Sequence, residues 1–163
     1  KQNHMILIKF ILPSLAIFFF QFLFSEILSI STIRPDFPII YVMYIALRQG
    51  RFQGVIIGFI LGIFIDLAGV SSYFGLTPLT YSITAYITGI LHIKSDNLNH
   101  YYYTASWIAI LFFHFLIFSL VRYQTILMSD ILLFSIKWFS TTAYTLGFML
   151  ILQLIYNVNP NKV

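Results

Sequence analysis

Glu26, Asp66 and Lys137 each lie within or at the end of a long apolar stretch. In a membrane helix, charge costs about 2.5–3.5 kcal/mol at the centre and less toward the interface. Charged side chains kept in such places do one of two kinds of work. An acid facing a water-filled space binds a cation or relays a proton. An acid facing a base forms an ion pair that fixes helix packing, here Lys137 with Glu26 or with Asp66. No second carboxylate lies one helical turn from either acid, and all three residues are near helix ends where water reaches. The structural ion pair is therefore the preferred reading. His114, in "ILFFHFLIF", is a candidate proton-relay member, but a lone histidine there more often hydrogen-bonds a neighbouring helix. His92 and His100 flank a loop at a spacing that suits no metal, and His4 is in the tail. There is no HExxH, no GxSxG and no phosphate loop. Cysteine is absent, which removes disulfides, thiolate chemistry and cysteine metal sites. The sequence assigns no catalytic, cofactor-binding or metal-binding residue and points away from an enzyme, although catalytic residues dispersed along the chain would escape a motif search.

The elements that must position these groups follow from composition. Of 163 residues, 60% are hydrophobic, 19% aromatic and 9% charged. Soluble domains carry roughly a quarter of their residues as charges, so the chain is expected to be a single multi-pass transmembrane domain, 1–163, with no separate soluble part. Its apolar runs are continuous and do not alternate with period two, which selects helices over a barrel. Six are expected, at about 8–30, 37–47, 52–67, 76–93, 102–121 and 131–156. Pro13 is placed in the first turns of the first helix, where proline is tolerated. The run Phe10–Phe24 is long and aromatic-rich, and reads as a retained helix rather than a cleaved signal peptide. The second helix is short for a hydrocarbon core of about 30 Å. Either Arg34 and Arg48 snorkel from its ends while neighbours cover it, or it does not fully cross.

Loop charges orient the bundle. With six crossings and a cytoplasmic N-terminus, Lys1, Lys9, Arg48, Arg51, Lys94 and Lys162 fall inside, with Arg48 and Arg51 in the turn "RQGR". Arg34 and Arg122 fall outside, with Lys137 just within the last helix, so the positive-inside rule selects N-in, C-in. Glu26, Arg34, Pro35, Asp36 and Lys137 then form an outer polar cluster. The net charge of +4 is explained by orientation, because no basic cluster with interleaved aromatics marks a nucleic-acid site.

One helix carries a further pattern. In "GVIIGFILGIFID", Gly54, Gly58, Gly62 and Asp66 recur every four residues and share one face. Small residues in this register let a second helix backbone approach closely. The stripe is a packing track or a partner interface ending in a polar anchor, with packing inside the bundle as the default.

The segment Arg34–Leu91 resembles the core of the bacterial rod shape-determining protein MreD family. Its matching features are Arg34-Pro35-Asp36, the basic turn Arg48–Arg51, the Gly54/Gly58/Gly62 row with Asp66, the loop Ala68–Gly75, and Gly75-Leu76. The loop after Asp66 departs from the family's early Ser-Gly pair, and the chain is unusually aromatic. The resemblance implies a non-enzymatic scaffold subunit of the cell-elongation complex, multi-pass in the bacterial cytoplasmic membrane. It implies an MreC-type partner and, through it, the MreB filament, the RodA glycosyltransferase and a penicillin-binding transpeptidase of peptidoglycan synthesis. It also implies an all-α six-helix bundle similar to the S components of energy-coupling-factor transporters. The rival function is thus a substrate-binding subunit of a vitamin transporter, with Glu26, Asp66 and Lys137 lining a pocket. Such subunits present an Ala-x-x-x-Ala row on the first helix, whereas here that helix holds Ala16 alone.

Overall fold

The computed structural model describes residues 2–29, 33–69, 73–94 and 99–155, and these are all-helical. Seven helices follow in order among them: α1 (Gln2–Ile27), α2 (Phe37–Gln49), α3 (Arg51–Leu67), α4 (Leu76–Lys94), α5 (His100–Arg122), α6 (Gln124–Ser129) and α7 (Ile131–Ile155). α5 and α7 are each long and apolar enough to cross a membrane.

The centre of the molecule is α2, whose thirteen residues extend about 20 Å. Asp36 caps its start, accepting the Ile39 N–H, and Pro38 lies in its first turn where no intrahelical donor is needed. Ile39, Val42, Met43, Ala46 and Leu47 are fully buried, so neighbouring helices sheathe this short helix. At its far end Gly50 adopts φ +93°, a left-handed conformation that turns the chain directly into α3.

The glycine row is filled from within the chain. α3 runs antiparallel to α2 and α4, wedged between them. A Cβ added at Gly54 would stand 2.7 Å from the Ala46 Cβ, and one at Gly58 would stand 3.1 Å from Val42 Cγ1 and 3.2 Å from the Tyr81 carbonyl oxygen. At Gly62 it would collide with the backbone of Pro78, and at Gly89 of α4 it would reach 2.5 Å from the Arg51 Cα. Backbones this close leave no space for a partner's helix along the track. The outward residues Ile56, Phe59, Ile60 and Phe64 remain exposed.

On α5, Tyr103, Trp107, Leu111 and Phe115 recur at intervals of four and are almost wholly buried, forming the seam against the core. Two features depart from the sequence reading. The segment after Arg122, expected as a loop, contains the six-residue α6; Asp130 then caps α7, accepting the Leu132 and Leu133 N–H groups at 3.0 Å. α1 spans Gln2–Ile27 rather than about 8–30, so Pro13 lies well inside the helix and not in its first turns. Proline there removes one donor to the preceding turn.

Candidate functional site: a polar cavity at one end of the helices

The cap of α2 is also the floor of a cavity. The turn Arg34-Pro35-Asp36 is held from three sides. From α1, Gln21 donates its amide to the Pro35 carbonyl at 3.1 Å and accepts the Phe37 N–H at 3.0 Å. From α7, Thr145 Oγ1 accepts the Asp36 N–H at 3.3 Å. From α4, the Tyr81 hydroxyl donates to Asp36 Oδ1 at 2.6 Å. Burial pushes the Asp36 carboxyl above its ordinary range, opposed by the bonds from Tyr81 and Ile39 and by the Arg122 charge.

Around this floor opens a cavity of about 560 Å³, within the range of small-molecule sites. Its walls include Arg34, Thr77, Phe118, Arg122 and Tyr123. The Arg122 guanidinium lies 5.5 Å from the Phe118 ring centre and 6.0 Å from that of Tyr123, and Lys137 Nζ lies 5.2 Å from the same Tyr123 ring. Two aromatic faces thus attract and orient the guanidinium. Thr77 is 2% exposed, and its hydroxyl has no hydrogen-bond partner among the described residues.

Behind the cavity, α4 presents a buried row of hydroxyls: Thr77, Thr80, Thr84 and Thr88. Thr84 donates to the Thr80 carbonyl at 2.7 Å and lies 2.8 Å from His114 Nδ1. A hydroxyl has one hydrogen to give, so His114 Nδ1 is the donor of the second bond. Its other ring nitrogen, Nε2, is buried without a partner among the described residues.

Comparison of the chain with family models, curated proteins and solved structures found no match. What the site can do therefore rests on the residues themselves.

The site residues expected from the sequence fall in different places. Arg34, Pro35 and Asp36 line the cavity, and Lys137 reaches the Tyr123 ring on its wall. Asp66 is elsewhere: at the end of α3 it accepts the Gly75 N–H through Oδ2 at 2.6 Å, while its buried Oδ1 has no partner among the described residues. Lys137 is accordingly not its counter-ion, and that expected ion pair is corrected to a loop-closing hydrogen bond across the α3–α4 connection. The Glu26 side chain, like Lys1, Lys94 and Lys162 of the topology argument, lies outside what is described. Arg48 and Arg51 mark the opposite end of α2, their guanidinium groups over Tyr44 at 5.6 Å and Tyr86 at 5.5 Å. Gly54, Gly58 and Gly62 act as packing residues.

Sequence reasoning missed Tyr81, Thr77 and Gln21 as site residues and used Arg122 only as a loop charge. A signal for the α4 residues was present: Thr77, Thr80, Tyr81, Thr84 and Thr88 share one face of an otherwise apolar helix.

Proposed function

We propose that this chain is a non-enzymatic scaffold, a multi-pass protein of the bacterial cytoplasmic membrane that holds an MreC-type partner in the cell-elongation complex. The observation that carries the reading is a coincidence of two maps. The residues that resemble the MreD family, Arg34–Leu91, are those of α2, α3 and α4, the most closely packed part of the molecule. Their motif residues do mechanical work there: Asp36 caps α2, the glycines seat α3, and Asp66 closes the α3–α4 loop. A scaffold needs such a rigid frame with apolar outer faces for lipid and partner helices, and Phe59, Ile60, Phe113, Ile117, Phe139 and Ile151 are all exposed. In this reading every helix except α6 belongs to the membrane bundle, N-in and C-in, with the short α2 shielded by its neighbours. The glycine track is occupied, so the partner docks on another face.

Copurification from solubilised membranes tests the proposal. Cell-wall proteins, with an MreC-type protein foremost, are the expected companions. Recovery of a transporter ATPase pair would replace the scaffold by the substrate-binding subunit, a reading that the cavity beside Asp36 favours and the lone Ala16 of α1 opposes.

A further inference from the structure

A second cavity opens between α1 and α7, with Ile40 and Tyr41 of α2 at its base. Among the described residues, α1 and α7 nowhere bring Cα atoms within 8 Å of each other, and the space between them is about 730 Å³. Its walls run from Pro13 to Phe20 on α1, Phe37 to Tyr44 on α2 and Phe148 to Ile155 on α7. Each pair is seven positions apart, about 10 Å of helix. One end is shut. The Phe37 ring meets Phe20 at 5.0 Å and Phe148 at 5.1 Å, both edge to face, so three rings bridge the gap between α1 and α7. Beyond them the Tyr144 hydroxyl of α7 donates to the Leu28 carbonyl, just past α1, at 2.8 Å. At the other end Ile155 is 70% exposed. The groove is therefore a blind slot. Its lining is aliphatic and aromatic apart from two tyrosines, and the Tyr41 hydroxyl is bonded to Ser14 of α1. Such walls hold water poorly, and without an occupant they forfeit dispersion contacts.

The depth of the slot decides what fills it. A crossing helix requires a track of about 30 Å and would run into the ring bridge. A hydrocarbon tail spans no more than the half-thickness of the bilayer core, about 15 Å. The mouth is continuous with the apolar faces that the flanking helices expose, Leu12 and Leu15 on α1 and Ile151 and Leu154 on α7, so in a bilayer lipid tails are the medium at its entrance. We infer that this groove holds the hydrocarbon tail of one membrane lipid, its tip against the Phe20, Phe37 and Phe148 rings and its head toward the Tyr44 end. The inference rests on the membrane location proposed above and on no partner protein.

The test uses the full chain, purified in a bile-salt detergent, which has no linear tail. Its thermal midpoint is followed during titration with palmitoyl lysophosphatidylcholine and with glycerophosphocholine, the same headgroup without the tail. Saturable stabilisation by the first and none by the second is expected. Ile151→Trp fills the groove from an exposed position on α7, so it leaves the unliganded midpoint in place and should weaken binding roughly tenfold. Ile60→Trp, on the outward face of α3 and away from the groove, should bind as wild type does. Absence of saturation, an equal response to glycerophosphocholine, unchanged binding by Ile151→Trp, or equal weakening by Ile60→Trp overturns the proposal. The Ile151→Cys variant, in a chain with no other cysteine, should stay monomeric on oxidation in membranes; a disulfide-linked dimer would put a second copy on the groove and overturn it too. Tail binding is read on the purified chain, so its failure is distinguishable from failure to recover an MreC-type partner.

Discussion

The hydroxyl of Tyr81 donates to Asp36 Oδ1 across 2.6 Å, joining residues 45 apart in sequence and fastening the start of α2 to α4. The same carboxylate oxygen accepts the Ile39 N–H, so one atom serves as helix cap and as interhelical tie.

Replacing Asp36 with alanine removes both bonds. Loss of a cap costs about 1 kcal/mol and a stranded buried hydroxyl about 1–3 kcal/mol. Asp36→Ala should therefore lower the thermal midpoint of the detergent-solubilised chain by roughly 4–10 °C. Asn keeps an acceptor oxygen, and Asp36→Asn should stay much closer to wild type.

The same pair predicts a pH response. Burial raises the Asp36 carboxyl above its ordinary value of 3.8, so the folded protein holds this proton more tightly than the unfolded chain. As pH rises from 3.8 through the folded value the unfolded state ionises first, and stability falls. Acidification from about pH 7 to about pH 4 should raise the midpoint of wild type relative to Asp36→Asn, as paired melting curves would record.

Gly62 and Gly147 offer a matched comparison. A Cβ at Gly62 meets the Pro78 backbone, which has no side chain to swing aside, while one at Gly147 of α7 has nothing within 4 Å. Gly62→Ala should destabilise by about 1–3 kcal/mol through overpacking. Gly147→Ala should be neutral or stabilising by up to about 1 kcal/mol, because alanine is the better helix former. Parallel thermal scans decide this, and equal losses at both positions would remove close approach as the reason for the glycine.

Asp66→Ala releases the Gly75 N–H from its acceptor. Hydrogen–deuterium exchange should accelerate locally at Gly75 and Leu76 while the α2–α3 contact region keeps its protection. Asp66→Asn, which retains a carbonyl acceptor, should leave exchange near the wild-type rate.

The absence of cysteine permits a direct check of the proposed topology. Single cysteines replacing the exposed residues Gln49 and Met128 lie at the ends assigned to the inner and outer faces. A membrane-impermeant thiol reagent added to intact cells should label the second and spare the first.

Much of the helix order is legible in the sequence because its signals are local. Pro38 and Asp36 announce the start of α2, Gly50 its end, and the Gly-x-x-x-Gly spacing the tight face of α3. α6 was hidden because "QTILMS" carries no cap that a loop would lack; Tyr123 offers no side-chain hydrogen bond to its start. The cavity was only half legible. Arg34 and Asp36 share one short turn, Arg34-Pro35-Asp36, but the partners that give them meaning, Tyr81, Arg122 and Thr145, come from three other helices. Asp66 shows the opposite failure: a carboxylate among apolar residues suggested a cation, and its actual partner is a backbone N–H nine residues ahead.

The shortness of α2 has a bearing on assembly. A helix of about 20 Å, buried on Ile39, Val42, Met43, Ala46 and Leu47, offers lipid too little apolar length to persist there alone. It acquires cover only when α3 and α4 fold back on it, and the Gly50 turn leaves no slack for it to wait apart. In the proposed membrane bundle, α2 therefore depends on α3 and α4 for the apolar cover that its own length does not provide.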